Sequence, residues 1–410
     1  MGGADKASQF KHSWPLGGAE IQVVCKLAVF ERAYPGAVEV VAGDATISRL
    51  MVQNILHPGL SEVYNELLTA GEGNEIYIRG GESLGGITLG ELAAARPEVI
   101  VLGLLKQRGA GWDVQLLAPS DSRIDPADRV VIMARDYSET EPDPKKTPLP
   151  ELEREQAVRV DRPSDQANHR VLVLGWNRRV PSLIAEFLSY GHRHFEVDLV
   201  SVVPKAEREQ AIAQYVENAD RLTCRHIEAD YMVEGELRRI GPAGYDTVIL
   251  LSSDRLASGE EADARAMVGY LQLEDILADF ARRPQLIMEL SDPDNRHLLY
   301  GHQSEMLISP MILSHVLAQV ALRRELRIVL DELFTVGGAE IQFRDPADYP
   351  LPASATFQVL EKTVAAEGEL ALGVFRKKAN ERGRHLQLNP SRKEYLELQP
   401  GDRLVVLCLT

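Results

Sequence analysis

The fold is decided by the stretch Arg170-Val171-Leu172-Val173-Leu174-Gly175-Trp176-Asn177-Arg178-Arg179-Val180-Pro181-Ser182. Its apolar run ends at Gly175 and leads into a helical pattern that begins near Leu183. A buried strand, a tight turn and a helix in this order are typical of a Rossmann-type unit, in which N–H groups at the helix start face a ligand. The stretch therefore predicts an α/β fold built on a doubly wound parallel sheet.

The turn departs from the dinucleotide-binding fingerprint. Only Gly175 is retained, while Asn177 and Val180 stand where the second and third glycines would be. Asparagine tolerates unusual backbone angles, so the turn remains feasible. Its side chain nevertheless occupies space that a pyrophosphate would need. A nucleotide site and a purely structural turn are both open interpretations.

The pattern after residue 170 alternates between strand and helix, which predicts a parallel sheet. Six strands are expected, over 171–174, 197–202, 223–227, 247–251, 285–289 and 306–308. One long helix is predicted over 311–333, followed by a β-rich region. Near the other end of the chain, a helical pattern covers 21–32.

Composition excludes several classes of function. The chain has 410 residues, with 61 acidic against 45 basic side chains and a formal charge of -16, which argues against nucleic acid as a partner. Its three cysteines are too far apart for a zinc motif or a disulfide framework. No apolar run approaches the ~20 residues that span a bilayer. We expect a soluble, cytoplasmic polypeptide.

Two segments of the chain repeat each other. Glu66-Leu67-Leu68-Thr69-Ala70-Gly71 is echoed by Glu332-Leu333-Phe334-Thr335-Val336-Gly337, and Ile124-Asp125-Pro126-Ala127-Asp128-Arg129 by Leu398-Gln399-Pro400-Gly401-Asp402-Arg403. Order and spacing are retained between these points, which indicates duplication of a small α+β lobe. Asp128 and Asp402 are expected to accept N–H bonds within a turn.

The repeat and the composition together predict four segments. They are an incomplete first unit that ends in the first lobe (1–135), a charged Pro-rich linker (136–168), a Rossmann-like lobe (169–310), and a connector helix with the second lobe (311–410). The first lobe is preceded by too few residues for a second six-stranded sheet. We expect either a reduced first unit or a missing N-terminal half.

With these features the chain resembles the regulatory RCK domains (TrkA-N and TrkA-C) of potassium-transport proteins. The stretches Val173-Leu174-Gly175-Trp176-Asn177 and Ile47-Ser48-Arg49-Leu50-Met51-Val52-Gln53 resemble more closely the cytosolic part of CASTOR/POLLUX-type ion channels. The resemblance implies duplicated TrkA-C-like lobes, potassium transport, association with a membrane pore and a homotetrameric gating ring. It also implies regulation by calcium in some relatives.

Ligands of open α/β sheets bind beyond the carboxyl ends of the strands. The candidate cofactor-binding residues at that edge are Gly175, Trp176, Asn177, Arg178, Ser252, Ser253 and Asp254. Arg178 and Arg179 are candidate phosphate ligands of an adenine nucleotide. The second strand is followed by Val203-Pro204. This pair supplies no acid for the ribose hydroxyls, which weighs against NAD.

A calcium ion is the alternative ligand. Asp230, Asp254 and Glu289 all come at or near strand ends, and Ca²⁺ takes oxygen ligands in irregular geometry. The same residue types also cap helices that follow parallel strands, and the sequence favours this interpretation over a calcium site.

No catalytic signature is present. The sequence lacks Gly-x-Ser-x-Gly, His-Glu-x-x-His and a P-loop lysine, so we expect no enzyme. The function that these observations favour is a ligand-sensing regulatory module of a cation or potassium channel or transporter. The alternative is a peripheral TrkA-like nucleotide-binding subunit of a separately encoded potassium uptake system.

Overall fold

The computed structural model describes residues 17–21, 38–141 and 168–409, apart from gaps at 72, 110, 192, 217–221, 257, 296–304, 353 and 381–382. Of the helix predicted over 21–32, only Ile21 is described, and it ends a strand. Most of the predicted linker also lies outside the described residues. The first part of the linker is described: Tyr137–Thr140 forms a 3₁₀ turn. Thr140 in this turn is buried and accepts a hydrogen bond of 3.0 Å from Arg79.

The first unit begins with two parallel strands and two helices. They are β1 (Gly17–Ile21), β2 (Val38–Ala42), α1 (Gly43–Leu56) and α2 (Leu60–Leu68). The first lobe follows, with β3 (Glu75–Gly80), α3 (Leu89–Ala95), β4 (Ile100–Arg108), β5 (Gly111–Leu116) and β6 (Arg129–Ala134). A capping box starts α3, with Glu91 N–H 3.1 Å from Thr88 Oγ1.

The Rossmann-like lobe contains the predicted six parallel strands. They are β7 (His169–Leu174), β8 (Phe195–Ser201), β9 (Thr223–Glu228), β10 (Thr247–Leu250), β11 (Gln285–Leu290) and β12 (Glu305–Ile308). Their order is β12-β11-β10-β7-β8-β9, so the direction of winding reverses between β7 and β10. This reversal opens a crevice at the carboxyl ends of those two strands.

Helices cover both faces of this sheet. They are α4 (Val180–Ser189), α5 (Lys205–Ala213), α6 (Glu234–Ile240), α7 (Gly259–Leu277) and α8 (Ser309–Leu322). Val171 and Val173 of β7 enter one hydrophobic core, and Leu172 and Leu174 enter the other. A strand buried on both faces must be apolar at every position, which explains the continuous apolar run in the sequence.

The second lobe repeats the first. It contains α9 (Leu326–Phe334), β13 (Ala339–Arg344), β14 (Ser354–Thr356), α10 (Phe357–Ala365), β15 (Leu370–Phe375), β16 (Leu386–Leu388), β17 (Tyr395–Glu397) and β18 (Arg403–Leu409). Its four-stranded sheet has the order β13-β18-β15-β16, and that of the first lobe is β3-β6-β4-β5. The strands β13, β18, β15 and β16 thus have the same positions in their sheet as β3, β6, β4 and β5 have in theirs. The predicted α/β fold with duplicated α+β lobes is confirmed.

The repeated turn has the predicted hydrogen bonds. Asp128 Oδ2 accepts the N–H of Asp125 at 3.0 Å, and Asp402 Oδ2 accepts the N–H of Gln399 at 3.0 Å. Both aspartates are buried.

The predicted connector helix over 311–333 is wrong, because α8 ends at Leu322 and α9 starts at Leu326. Arg323 leaves the helical conformation at φ -142° and ψ 91°. Its guanidinium donates to Ile76 O at 3.1 Å and lies 4.3 Å from the centre of the Tyr77 ring. These contacts with the first lobe hold the break in place.

The two units interlock through these helices. Each of α2 and α9 packs against its own lobe, and each also contacts strands of the other: α2 contacts β13 and β16, and α9 contacts β3 and β5. Between the lobes, Arg392 donates to Val99 O at 2.9 Å and Asn389 to Glu98 O at 2.6 Å. Among the helices of the described residues, none has the length and apolar character needed to cross a membrane.

Candidate functional site

The crevice above Gly175 begins with a turn that requires glycine. Gly175 has φ +100°, and a Cβ at this position would lie 3.0 Å from Leu251 O of the neighbouring strand end. Its N–H donates to Val200 O at 2.9 Å, so the turn is fixed against both adjacent strands. Trp176, which follows, is buried in the hydrophobic core and does not face a ligand.

Asn177 occupies the middle of the crevice. Its Nδ2 donates to Ser252 O and to Glu289 Oε2, both at 2.9 Å, and its Oδ1 accepts the N–H of Arg179 at 3.0 Å. Both amide protons and the amide oxygen are thus bonded within the protein. The residue ties together the ends of three neighbouring strands, at the place where the fingerprint would have a second glycine.

Glu289 is the buried acceptor of this network and is 1 % exposed. Its Oε1 accepts hydrogen bonds from the Arg179 guanidinium and from Ser309 Oγ, the latter at 2.5 Å. Arg179 balances the buried negative charge, as a charge removed from water requires.

A second carboxylate comes from the first unit. Asp44, in the first turn of α1, is 1 % exposed, and its Oδ1 lies 3.2 Å from Arg179 Nε and 3.4 Å from Arg178 Nε. Burial raises the pKa of the Asp44 carboxyl, and the two arginines oppose that shift. Within the described part of the chain, Asp44 Oδ2 has no hydrogen-bond donor. Reasoning from the sequence missed this residue, because nothing in a helix start far from residue 175 indicates the contact.

The polar residues after β10 stabilise the backbone around the crevice. Asp254 Oδ2 accepts the N–H of Arg178 at 2.8 Å, and Ser253 Oγ accepts the N–H of Arg255 at 3.3 Å. Ser252 Oγ donates to Asp263 Oδ1 at 3.0 Å.

Asp263 of α7 is fully buried and was also missed from the sequence. It accepts the N–H groups of Ser291 and Asp292, both at 2.8 Å. It therefore fixes the loop after β11, and an aspartate within a helical pattern gave no signal of that role.

The three carboxylates predicted to bind a metal do not converge. Asp230 pairs with Arg265, Asp254 accepts an N–H at the start of the turn, and Glu289 is held by Arg179. Among the described residues, no group of three or more His, Cys, Asp or Glu side chains is placed to hold a metal ion. Each carboxylate is instead bonded to a donor of its own.

The predicted phosphate ligands are engaged in the same way. Arg178 and Arg179 face Asp44, and Arg179 also faces Glu289. A nucleotide phosphate would have to replace two protein carboxylates. The acid at the end of β9, Glu228, accepts the N–H of Lys205 at 2.8 Å and so caps α5. The crevice of this Rossmann-like lobe is thus filled by the protein's own charges, one of them supplied by the other unit.

A Rossmann-like lobe, two equivalent α+β lobes and helices that interlock the units together define a tandem RCK-type fold. The solved structure of the human SLO3 gating ring has this fold, with a TM-score of 0.69 at 14% sequence identity, over 96% of this chain and 81% of that one. Residues 44–149 match the family model described as Castor and Pollux, part of voltage-gated ion channel. The resemblance to CASTOR/POLLUX-type channels is therefore confirmed.

Named relatives agree with this family. The probable ion channel CASTOR of Oryza sativa subsp. japonica is 26% identical over an alignment of 345 residues that covers 76% of this chain. The ion channel CASTOR of Lotus japonicus is 25% identical over the same share. This chain spans 38% and 40% of the length of those two relatives.

Proposed function

We propose that this chain is a cytoplasmic, non-enzymatic regulatory module of a cation channel and that it acts by coupling its two units. The observation that carries the proposal is the interlocking of α2 and α9, each of which lies between the two lobes. A ligand or force that changes one lobe must displace a helix of the other. The relatives named as ion channels and the likeness to a gating ring support this function.

The coupling requires only a small difference in free energy. Gln53 of α1 donates to Leu333 O of α9 at 3.1 Å, in the buried junction between the units. We consider two arrangements of this junction in equilibrium. A difference of about 1–3 kcal/mol in their free energies changes the ratio of their populations by about 5-fold to 150-fold. Rearranging a few buried hydrogen bonds supplies energies of this order.

We further propose a homotetramer that joins a membrane-embedded pore. The exposed face of α7 carries Val268 and Leu271, which are 43% and 46% exposed, and Leu322 at the end of α8 is 74% exposed. Adjacent apolar side chains at a surface mark contacts with other chains, and Val268 and Leu271 are three residues apart and so lie on one face of α7. We expect light scattering of the purified chain to give four times the monomer mass, and a monomeric mass would contradict this assembly.

The regulatory role is tested by recording currents from membranes that carry the native channel complex containing this chain. We expect a cation-selective current whose open probability changes by at least about 5-fold in Gln53→Ala, because the variant weakens the junction between the units. The control is Glu367→Gln, at an exposed position, which should leave the current unchanged. Urea unfolding of Gln53→Ala shows whether the substitution has weakened the protein. If the variant unfolds at lower urea concentration but its current is normal, the proposal is contradicted.

A further inference from the structure

The first unit supplies a carboxylate to the crevice of the Rossmann-like lobe, and the internal repeat shows that this feature belongs to α1 alone. Asp44, in the first turn of α1, faces Arg178 and Arg179, the two residues that directly precede α4. At the spacing of the internal repeat, α8 is the counterpart of α1, and Pro310 stands in the place of Asp44. The repeated helix therefore does not require an acid at this position.

The carboxylate of Asp44 satisfies its two arginines incompletely. Its Oδ1 lies 3.4 Å from Arg178 Nε and 3.2 Å from Arg179 Nε. Among the described residues, Asp44 Oδ2 and Arg179 Nε are both buried without a hydrogen-bond partner. A phosphate group offers more acceptor oxygens than a carboxylate, and arginine binds both groups. The two guanidinium groups thus retain donors that a phosphate can use.

Asp44 is the carboxylate that holds both arginines. Among the described residues it is the acidic partner of the Arg178 side chain, which is 42% exposed, whereas Asp254 accepts only the backbone N–H of Arg178. Glu289 engages Arg179 through Nη1. Without Asp44, the Arg178 guanidinium and the Nε of Arg179 would both be available to an anion from solvent.

A second ion pair joins the same two helices. Arg49 of α1 lies 3.7 Å from Glu186 of α4, and their side chains are 27% and 13% exposed. Opposite charges thus face each other at two places along the contact between α1 and α4. The pairing of Asp44 is part of the docking of the first unit on the Rossmann-like lobe. An anion that takes the place of its carboxylate must compete with this docking.

We propose that Asp44 is a built-in occupant of a phosphate-binding position, so that the docked α1 and a phosphate-bearing anion exclude each other. The anion lies between the guanidinium groups of Arg178 and Arg179, where the Asp44 carboxylate otherwise lies. The position is closed while the two units are docked and opens when α1 is displaced. The regulatory consequence for a channel rests on the proposed function, whereas the exclusion of the anion by Asp44 does not.

The test titrates the whole chain with pyrophosphate at constant ionic strength and measures the heat of binding. We expect Asp44→Ser to bind pyrophosphate at least about tenfold more tightly than the unaltered protein does, because the competing carboxylate is absent. Asp113→Ser is the matched control: it removes an aspartate 3.1 Å from Arg108 in the first lobe and should leave the affinity unchanged. An equal gain in Asp113→Ser, or no gain in folded Asp44→Ser, overturns the proposal.

Further variants locate the anion. Addition of Arg178→Gln to Asp44→Ser should abolish the gain in affinity, and a gain that persists would contradict the assigned position. Asp44→Asn removes the charge at nearly constant volume and serves as the test if Asp44→Ser does not fold. It should also bind pyrophosphate more tightly than the unaltered protein does, and an unchanged affinity would contradict the proposal. Circular dichroism establishes that each variant is folded.

Mutual exclusion is tested at a distance from the arginines. Arg49→Gln weakens the docking of α1 and retains Asp44, so we expect pyrophosphate to bind about 2–5-fold more tightly. The loss of a positive charge by itself would weaken the binding of an anion. A gain in Asp44→Ser without any gain in Arg49→Gln would therefore contradict the link between binding and docking.

ADP distinguishes a nucleotide from a free phosphate. It should bind Asp44→Ser no more tightly than pyrophosphate does, since Val203-Pro204 after β8 supply no acid for the ribose hydroxyls. Much tighter binding of ADP would contradict a position that recognises phosphate alone. If pyrophosphate binds Asp44→Ser as expected but leaves the currents of the channel complex unchanged, the site stands and its regulatory role fails.

Discussion

Replacement of Glu289 by alanine is expected to lower the free energy of unfolding by about 3–5 kcal/mol, because it removes one partner of a buried ion pair. Three donors converge on this carboxylate: the Arg179 guanidinium, the Asn177 amide and the Ser309 hydroxyl. Among the described residues, Arg179 would keep Asp44 as a partner and Asn177 would keep Ser252 O, but the charge that Glu289 places beside them would be lost. Urea unfolding followed by circular dichroism measures the loss.

Two controls separate the charge from the shape. Glu289→Gln retains the volume and one carbonyl acceptor, so we expect a smaller loss than in Glu289→Ala. Glu196→Ala removes a glutamate whose partner Arg170 is about half exposed, and exposed pairs contribute about 0–1 kcal/mol. If Glu289→Ala costs no more than Glu196→Ala, the network does not hold the crevice closed.

The sheet of the Rossmann-like lobe could be predicted from the sequence, because burial on both faces leaves a direct pattern. The buried part of a strand such as β7, residues 171–174, needs an apolar residue at every position, and polar turns separate such runs. Repeated stretches were equally informative, since the turn around Asp128 recurs around Asp402 with the same hydrogen bonds. The apolar strands and the repeated turn are both determined by residues that lie close together in the sequence.

The site depends instead on contacts between distant residues. The role of Asp44 follows from the packing of α1 on α4, and the break at Arg323 follows from contacts with the first lobe. Helical periodicity continues through residues 323–325 and so hides the break. The expected convergence of Asp230, Asp254 and Glu289 failed for a related reason: the order of strand ends predicts proximity, but it does not reveal which arginine each carboxylate has as its partner.

The duplicated lobes share a β-bulge, and it leads to the second large expected effect. Pairing of β4 with β6 shifts register between Val101 and Gly103, and pairing of β15 with β18 shifts between Ala371 and Gly373. A Cβ on Gly373 would lie 2.2 Å from Gln387 O and 2.9 Å from the Leu388 Cα, and one on Gly103 would lie 2.2 Å from Gln115 O. The obstructing atoms belong to the backbone of the paired strand, so no side-chain rotation relieves the clash.

Gly373→Ala is therefore expected to separate β16 from β15 and to cost about 3–5 kcal/mol, at the upper end of single substitutions. Urea unfolding measures the cost, and faster amide exchange in 386–388 would locate it. Gly235→Ala is the matched control: it lies in α6 with no atom within 4 Å of the added Cβ. It should stabilise the protein by up to about 1 kcal/mol through helix propensity. If Gly373→Ala lowers the free energy of unfolding by less than about 1 kcal/mol, β15 and β16 accommodate the added Cβ at little cost. Strand pairing in the two lobes would then not require the glycine that they share.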